Sequence, residues 1–400
     1  MSLFFLLFLP SEVLGSEGRG TILWQKEYGK PERAEFAWDV AETKEGDFVL
    51  CGITIGKSLW DIDGLIMKLS GSGEILWEKE VGGKGQDFLF SLIIDRNQDI
   101  VLTGSKYQFP YNRQVWFLKL DKEGNILIEK TFGGKDEETA NQIIQAEDGG
   151  YFLIGDTKSY GTQKGGKDIL LMKLDEDGNM IWKRTYDFGY QDMGTGIVPF
   201  GKKGYIIIAV SATANAGGLF QEGHAEYFLV DFSGKILKKK IFQEGKKNIF
   251  RHIAPTKDGG AIIIGATSRE EKFPSTDLWV VKLDNNAEVE WEKTFGKRGR
   301  YDGGFSIFQS QDGDYFLAGY TQSEQSPEMD YDNWWWMRLD GRGNIIWSRY
   351  WGGKLNDDAY AIIPTRDGGL LIAGWINANS NPFLGLSIGN ADIYVIKSMR

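Results

Sequence analysis

Residues 168–186, DILLMKLDEDGNMIWKRTY, constrain the fold most, because the chain repeats this segment from end to end. An apolar run at 169–172 leads into Lys173, Leu174 and Asp175. A polar turn, Asp177-Gly178-Asn179, follows, and a second run carries Trp182. Apolar run, Asp/Gly/Asn turn, apolar run is the pattern of a β-hairpin. With the Lys-Leu-Asp corner as a ruler, equivalent positions are Lys68, Lys119, Lys173, Asp231, Lys282, Arg338 and Lys397. The strand after the corner has a slot at Trp24, Trp77, Ile128, Trp182, Lys238, Trp291 and Trp347. A further strand ends in a small residue and Gly at Cys51-Gly52, Thr103-Gly104, Ile154-Gly155, Ala209-Val210, Ile264-Gly265, Ala318-Gly319 and Ala373-Gly374. A tight turn precedes it, clearest at Asp148-Gly149-Gly150, Asp258-Gly259-Gly260 and Asp367-Gly368-Gly369.

Each feature occurs once per unit, and no helical periodicity interrupts the units. The pattern predicts an all-β, seven-bladed β-propeller of four-stranded antiparallel blades. The phase of the repeat suggests how it closes. Residues 22–28 are a lone fourth strand, and 392–397 are a third strand with nothing after it. Pairing the two removes the open edges of a linear array. Blades one to six then span 35–82, 87–133, 138–187, 192–243, 248–296 and 302–352. The seventh combines 357–397 with 21–29, so residues 21–400 form one domain. The third position of each inner strand is mostly small: Ala37, Leu89, Ala140, Gly194, Phe250, Gly304 and Ala359. That suits blades tapering toward an axis. Most Trp residues, including the run 334–336, read as packing between blades.

Composition narrows the partners. The net charge is −10, which argues against nucleic acid and anionic membranes, since both need a basic face. One cysteine, Cys51, excludes a disulfide framework, and two histidines leave little room for a His-based metal site or triad. Residues 3–9 are a short apolar run followed by Val13-Leu14-Gly15, with small residues where a signal peptidase cuts. Residues 1–15 therefore read as a secretory signal, too short for a transmembrane segment, and the protein as exported to the periplasm, cell surface or exterior.

Candidate site residues fall in two groups, both on the face where the connections between second and third strands emerge. These connections vary in length and carry aromatics: Trp60, Tyr107, Phe109, Tyr111, Tyr160, Phe220, Phe273, Tyr331 and Phe383. Variable loops on a rigid scaffold are where binding residues concentrate, and Trp60, Tyr107, Tyr111, Tyr160, Phe273 and Tyr331 are the candidate ligand contacts. The second group is an acidic slot at the start of each inner strand: Glu35, Asp87, Glu138, Asp192, Asn248, Asp302 and Asp357. A ring of such groups can hold a divalent cation, with Asp87, Glu138, Asp192, Asp302 and Asp357 as the metal candidates. The same residues can instead cap turns by accepting backbone N–H bonds. Repetition in every unit favours capping, because a single site rarely needs seven equal contributions. No cofactor and no catalytic residue is predicted. Gly385-Leu386-Ser387-Ile388-Gly389 fits Gly-x-Ser-x-Gly but lies in a loop, where the strand-to-helix elbow that motif needs is missing.

The Asp-Gly-Gly-Tyr and Trp-x-Lys…Gly-Gly pieces, at 148–155, 77–83, 291–296 and 347–353, resemble a family of secreted bacterial and archaeal propeller repeat proteins. The resemblance spans residues 21–397 and implies the propeller fold. The Leu-Asp-x-x-Gly-x-x-x-Trp element is distantly similar to the tryptophan-docking repeat of quinoprotein dehydrogenases. It is also similar to the sialidase Asp-box, although Gly178 to Trp182 is one residue too long. Neither similarity transfers a catalytic residue. Three functions follow as expectations. The first is a non-catalytic binding or scaffold propeller recognising protein or glycan through its loop face. The second is a carbohydrate-active lyase or glycosidase using slot carboxylates. The third is a structural envelope module.

Overall fold

A computed structural model describes residues 21–56, 60–109, 112–161, 166–189, 191–212, 223–243, 247–268, 275–322, 331–352, 355–378 and 391–399. The expected signal segment, Tyr111, Phe220, Phe273, Phe383 and the Gly-x-Ser-x-Gly sequence lie outside them. The described residues hold 29 strands and one 3-10 turn, Gly201–Lys203. None of them forms a helix long and apolar enough to cross a membrane.

The hairpin that organises the sequence shows how each unit folds. Asp168–Leu174 pairs with Met180–Tyr186, with Lys173 opposite Trp182. The turn between them needs Gly178, whose φ of 71° is left-handed. It also needs Asp175, which accepts the Asn179 N–H at 2.7 Å. Glu138–Gln145 and Tyr151–Thr157 complete a four-stranded antiparallel sheet in chain order. The same order runs from Ala34–Glu42 to Ile75–Val81, from Phe88–Ile94 to Ile126–Phe132, and from Asp302–Gln309 to Ile345–Trp351. Two more such sets, Gln191–Pro199 to Ile236–Phe242 and Lys247–Pro255 to Val289–Phe295, are joined into one eight-stranded sheet by a single parallel pairing, Gly223 with Lys247. Asn356–Pro364, Leu370–Ala378 and Asp392–Ser398 take their fourth strand from the other end of the chain, Ile22–Tyr28, with Trp24 opposite Lys397.

The core lies between sheets. Third strands such as Asp168–Leu174 are buried along their whole length, so both faces read as apolar and the sheets stack face to face. Val101, Phe117 and Leu153, for example, share one cluster across two sheets. Leu50, Met67, Leu371 and Val395 share another that joins the last sheet to the first. Trp334 and Trp336 enter the cluster on one face of their strand, and Trp335 the cluster on the other. The slot tryptophans cover the neighbouring hairpin turn. Trp24 donates to Gly71 O at 3.0 Å, and a Cβ on Gly73 would lie 2.9 Å from its ring.

The corner lysines are bolts. Each pairs with the aspartate of the preceding tight turn: Lys68–Asp47 at 3.3 Å, Lys119–Asp95 at 2.9 Å, Lys173–Asp148 at 2.6 Å, Lys282–Asp258 at 2.6 Å and Lys397–Asp367 at 2.8 Å. Arg338 does the same with Asp314 at 2.6 Å. The fourth unit differs from the sequence reading. Leu229, not Asp231, stands at the corner, opposite Lys238. The turn that should carry its partner is Gly201–Lys203. Cation and carboxylate are lost together, so no buried charge is left alone.

The small-Gly pairs also correct an expectation. They lie inside second strands, such as Phe48–Ile55, and do not end them. A Cβ on Gly52 would strike Phe36 O at 1.7 Å, and one on Gly155 would strike Thr139 O at 1.9 Å. The first strand bulges toward these glycines.

Candidate functional site

The slot residues are buried to 3% exposure or less, and the structure gives each slot carboxylate at least one backbone N–H partner, while Asp192 Oδ1 accepts no hydrogen bond. Asp87 accepts the N–H groups of Gly83 and Tyr107, both at 2.7 Å. Glu138 accepts those of Gly134 at 2.8 Å and Ser159 at 3.0 Å, and the Thr157 hydroxyl at 2.9 Å. Asp192 accepts from Phe188 at 2.6 Å and Gly189 at 3.0 Å. Asp302 accepts from Lys297 N at 3.1 Å and from the Thr321 hydroxyl, and Asp357 from Asn377 N at 2.8 Å. Each ties the chain entering its sheet, or the connection between second and third strands, to the first strand. Burial raises the carboxyls of Asp87 and Asp192 and pushes Asp302 up to about 6, while the donated N–H bonds pull the other way.

Two junctions depart from the others, with Asp187 and Gln243 where the rest have glycine. Gly29, Gly82, Gly133, Gly296 and Gly352 follow the fourth strand at five junctions, where a Cβ would fall 1.6–2.5 Å from a side-chain oxygen. Between the third and fourth sets this position is Asp187. Asp168, Asp187 and Asp192 consequently bring three carboxylate oxygens within 4.8 Å of one another. These are hard donors of the kind calcium takes.

Sequence reasoning missed a second row of residues, three positions beyond the slot. Every first strand carries a register shift there, at Trp38, Phe90, Asn141, Thr195, Arg251, Phe305 and Tyr360. A β-bulge re-aims the extra side chain and ends local pairing, and bulges gather at functional sites. The first strands pack beside one another from sheet to sheet, Asn356–Pro364 beside Ala34–Glu42 included, so the bulged residues follow one another from sheet to sheet. Trp38 stacks on Phe90 at 4.9 Å, and Phe305 on Tyr360 at 3.8 Å. Asn141 Nδ2 donates to Gly194 O at 2.9 Å, and Thr195 Oγ1 to Phe250 O at 2.9 Å. The row is aromatic on one side and polar on the other. The small residues before the bulges and the glycines opposite were its signal in the sequence.

The loop aromatics split. Trp60 is 79% exposed and Phe109 is 85% exposed. Tyr107 is half-buried; a Cβ on Gly85 would lie 2.5 Å from its ring. Asp61 pairs with that same Gly85, so Trp60, Tyr107 and Phe109 lie along one stretch of surface at the junction of the first two sheets. Tyr160 is half-buried under Lys183, whose Nζ stands 3.0 Å from the ring centre. Tyr331 is half-buried beside Asp332, which hydrogen-bonds to the slot strand at Asp357. The structure therefore joins Tyr107 with Trp60 and Phe109, and sets Tyr160 and Tyr331 apart in other sheets.

No protein-family model and no curated protein matches the sequence. Solved structures do. A catalytically inactive virginiamycin B lyase from Staphylococcus aureus with quinupristin superposes with a TM-score of 0.53 at 12% identity, covering 93% of this chain and 99% of that one. YCF48 bound to D1 peptide gives 0.52 at 11% identity, covering 94% and 95%. The Pan2 WD40 domain of Neurospora crassa gives 0.51 at 9% identity, covering 95% and 96%. The fold is that of a β-propeller. At these identities the likeness extends to the fold and no further.

Proposed function

We propose that the protein is an exported, non-catalytic binding propeller that recognises a protein segment through its loop face. In this reading it has seven blades and is closed into a ring. The pairing of Ile22–Tyr28 with Asp392–Ser398, the core shared by the last and first sheets, and the unbroken succession of packed first strands support that architecture. Export rests on the apolar run at residues 3–9 and the small residues after it.

The observation that carries the binding role is the exposure of Trp60 and Phe109 at the junction that also holds Tyr107. Large aromatics left in water on a rigid scaffold mark a contact surface, and Trp and Tyr dominate binding energy once covered. The slot favours a scaffold over a catalyst. Its carboxyls are buried and hydrogen-bonded to backbone N–H groups, whereas glycosidase chemistry needs two carboxyls reaching a sugar. YCF48 with its D1 peptide is a propeller of similar fold that holds a peptide.

The test is a displayed random-peptide library selected on the wild-type chain and counter-selected on the Trp60→Ala/Phe109→Ala variant, with a glycan array in parallel. Peptides enriched only on the wild type support the reading. Glycan signals lost in the variant, without peptide enrichment, transfer the site to a sugar ligand. Enrichment that survives the double substitution sinks the assignment to this surface.

A further inference from the structure

The junction between the third and fourth sheets breaks a rule that other acidic junctions keep. Asp63 and Asp277 each pair with a second-strand threonine, Thr54 and Thr267, and each meets the slot aspartate of the next sheet against a glycine. A Cβ on Gly82 would fall 2.2 Å from Asp63 Oδ1 and 2.7 Å from Asp87 Oδ2, and one on Gly296 would fall 2.5 Å from Asp302 Oδ2 and 2.6 Å from Asp277 Oδ1. Asp168, paired with Thr157, and Asp192 are the corresponding residues at the third-to-fourth junction, where Asp187 replaces the glycine. Where Gln243 replaces it, the corresponding residues are His224 and Asn248, which carry no carboxylate. Setting a third carboxylate against two is thus peculiar to Asp187, and the fold does not require it, since five junctions close with glycine.

Asp168 is 1% exposed and Asp192 is fully buried, whereas Asp187 is exposed. One oxygen from each of the three lies within 4.8 Å of the other two. Oxygens that share one calcium ion, each at about 2.3–2.6 Å, stand no more than about 5 Å apart, so the three fit a single ion. A second observation is an oxygen that the fold leaves unused. Asp192 Oδ2 accepts the N–H groups of Phe188 and Gly189, but the buried Oδ1 accepts no hydrogen bond. The Ser211 hydroxyl faces both Asp192 and Glu226, and its one proton goes to Glu226 Oε1. Nearby cations are engaged elsewhere: Lys167 pairs with Asp156 at 2.8 Å, and Lys239 stands over the Phe188 ring at 3.7 Å. Burial above all, and the Asp187 charge besides, push the Asp192 carboxyl up. A bound divalent ion reverses that local logic, because it is the largest charge in such a site.

We infer that Asp168, Asp187 and Asp192 form a calcium site. Asp168 lies on the third strand of one sheet, Asp192 on the first strand of the next and Asp187 on the link between them, so the ion ties the two sheets together. Exposed Asp187 leaves the ion a path from solvent. Of the ring of slot carboxyls expected from the sequence, Asp192 alone takes part. The site is separate from the loop aromatics and stands or falls independently of them.

The full chain is stripped with EDTA, dialysed and titrated calorimetrically with calcium chloride, with thermal melts alongside. One calcium binds the wild type with a Kd of about 1 mM or tighter and raises its melting temperature. Magnesium, which demands near-ideal octahedral oxygens, binds at least about tenfold more weakly. Asp187→Asn weakens calcium by at least about tenfold. Asp63→Asn, at a junction that keeps its glycine, stays within about threefold of the wild type. Trp60→Ala/Phe109→Ala leaves calcium binding unchanged. Circular dichroism checks that each variant folds. If Asp187→Asn does not, Asp187→Gly, which restores the residue of the other junctions, is read instead with the same expectation. Neither heat nor a melting shift with folded wild type, equal affinity after substitution of Asp187, an equal loss in Asp63→Asn, or magnesium binding as tight as calcium each overturns the inference.

Discussion

Asp357 and Asp358 are neighbours in one strand and both are buried, yet their surroundings are opposite. Asp357 accepts the Asn377 N–H at 2.8 Å and belongs to a position repeated in every sheet. Asp358 has a partnerless oxygen and faces the electrostatic field of Arg251 and Asp332. The same contrast divides the molecule. Corner bolts and slot carboxyls are buried polar groups that each have at least one partner supplied, and they recur from sheet to sheet; Asp192 Oδ1 is a slot oxygen with no hydrogen bond. The Trp60–Phe109 surface occurs in a single place and leaves large aromatic rings exposed, and the buried Asp358 Oδ1 accepts no hydrogen bond. In a repeat protein, the satisfied and repeated groups hold the scaffold. The unsatisfied and unrepeated groups are where a ligand can act.

The largest effect should come from breaking a satisfied network. Asp95 is fully buried and holds Lys119 Nζ and the Tyr151 hydroxyl, both at 2.9 Å. Asp95→Ala leaves buried Lys119 with Asp99 at 3.1 Å as its remaining carboxylate, strips the Tyr151 hydroxyl of its acceptor, and should cost about 3 kcal/mol in urea unfolding. Replacing Lys119 by Met in the same chain should recover part of that loss, as the Leu229 corner already does without any charge. A double variant no more stable than Asp95→Ala alone would contradict the bolt.

The unsatisfied side should behave in the opposite way. Glu226 is 1% exposed, its Oε2 has no partner, and burial pushes its carboxyl up to about 7. Between the unfolded pKa of about 4.3 and about 7, the folded state keeps a proton that the unfolded state has lost. Stability therefore falls as pH rises through that window and is flat above it. Glu226→Gln should remove this slope and gain about 3 kcal/mol at pH 8, with no gain near pH 4. Melts at the two pH values check it, and equal changes at both would refute the assignment. Asp258 and Asp367 work with the opposite sign. Their bolts hold both near about 2, so their contribution is present above about pH 4 and is lost in acid.

A smaller loss is expected in the slot. Asp87→Asn replaces one of two acceptor oxygens with an amide that cannot accept from Gly83 or Tyr107. It should cost about 1–3 kcal/mol and should not alter peptide binding at Trp60. A loss of binding with unchanged stability would move the slot from scaffold to site.

The repeat made most of the scaffold legible. Hairpins, turns and the strand exchange between chain ends follow from patterns that local physics enforces in every unit. The fourth unit misled because its corner lost both Lys and Asp, so Asp231 of the following turn was the only visible marker. The bulges were half-legible: the paired Gly positions stood out, but a one-residue register shift leaves no periodic trace. The contacts among Arg251, Phe305 and Tyr360 were not legible, because the bulge position varies from unit to unit. Only packing shows that they meet. Trp60 and Phe109 could be named as loop aromatics, but their adjacency depends on the pairing of Asp61 with Gly85.

The most direct test of the binding role uses one peptide selected on the wild-type chain. Its affinity is measured by calorimetry for the wild type, for Trp60→Ala/Phe109→Ala, and for Leu76→Ala/Leu127→Ala, which removes two half-exposed aliphatics from fourth strands. Loss of about 30-fold or more in the first variant, with the second unchanged, is the predicted result. Equal affinity for all three, or loss confined to the fourth-strand variant, would contradict it.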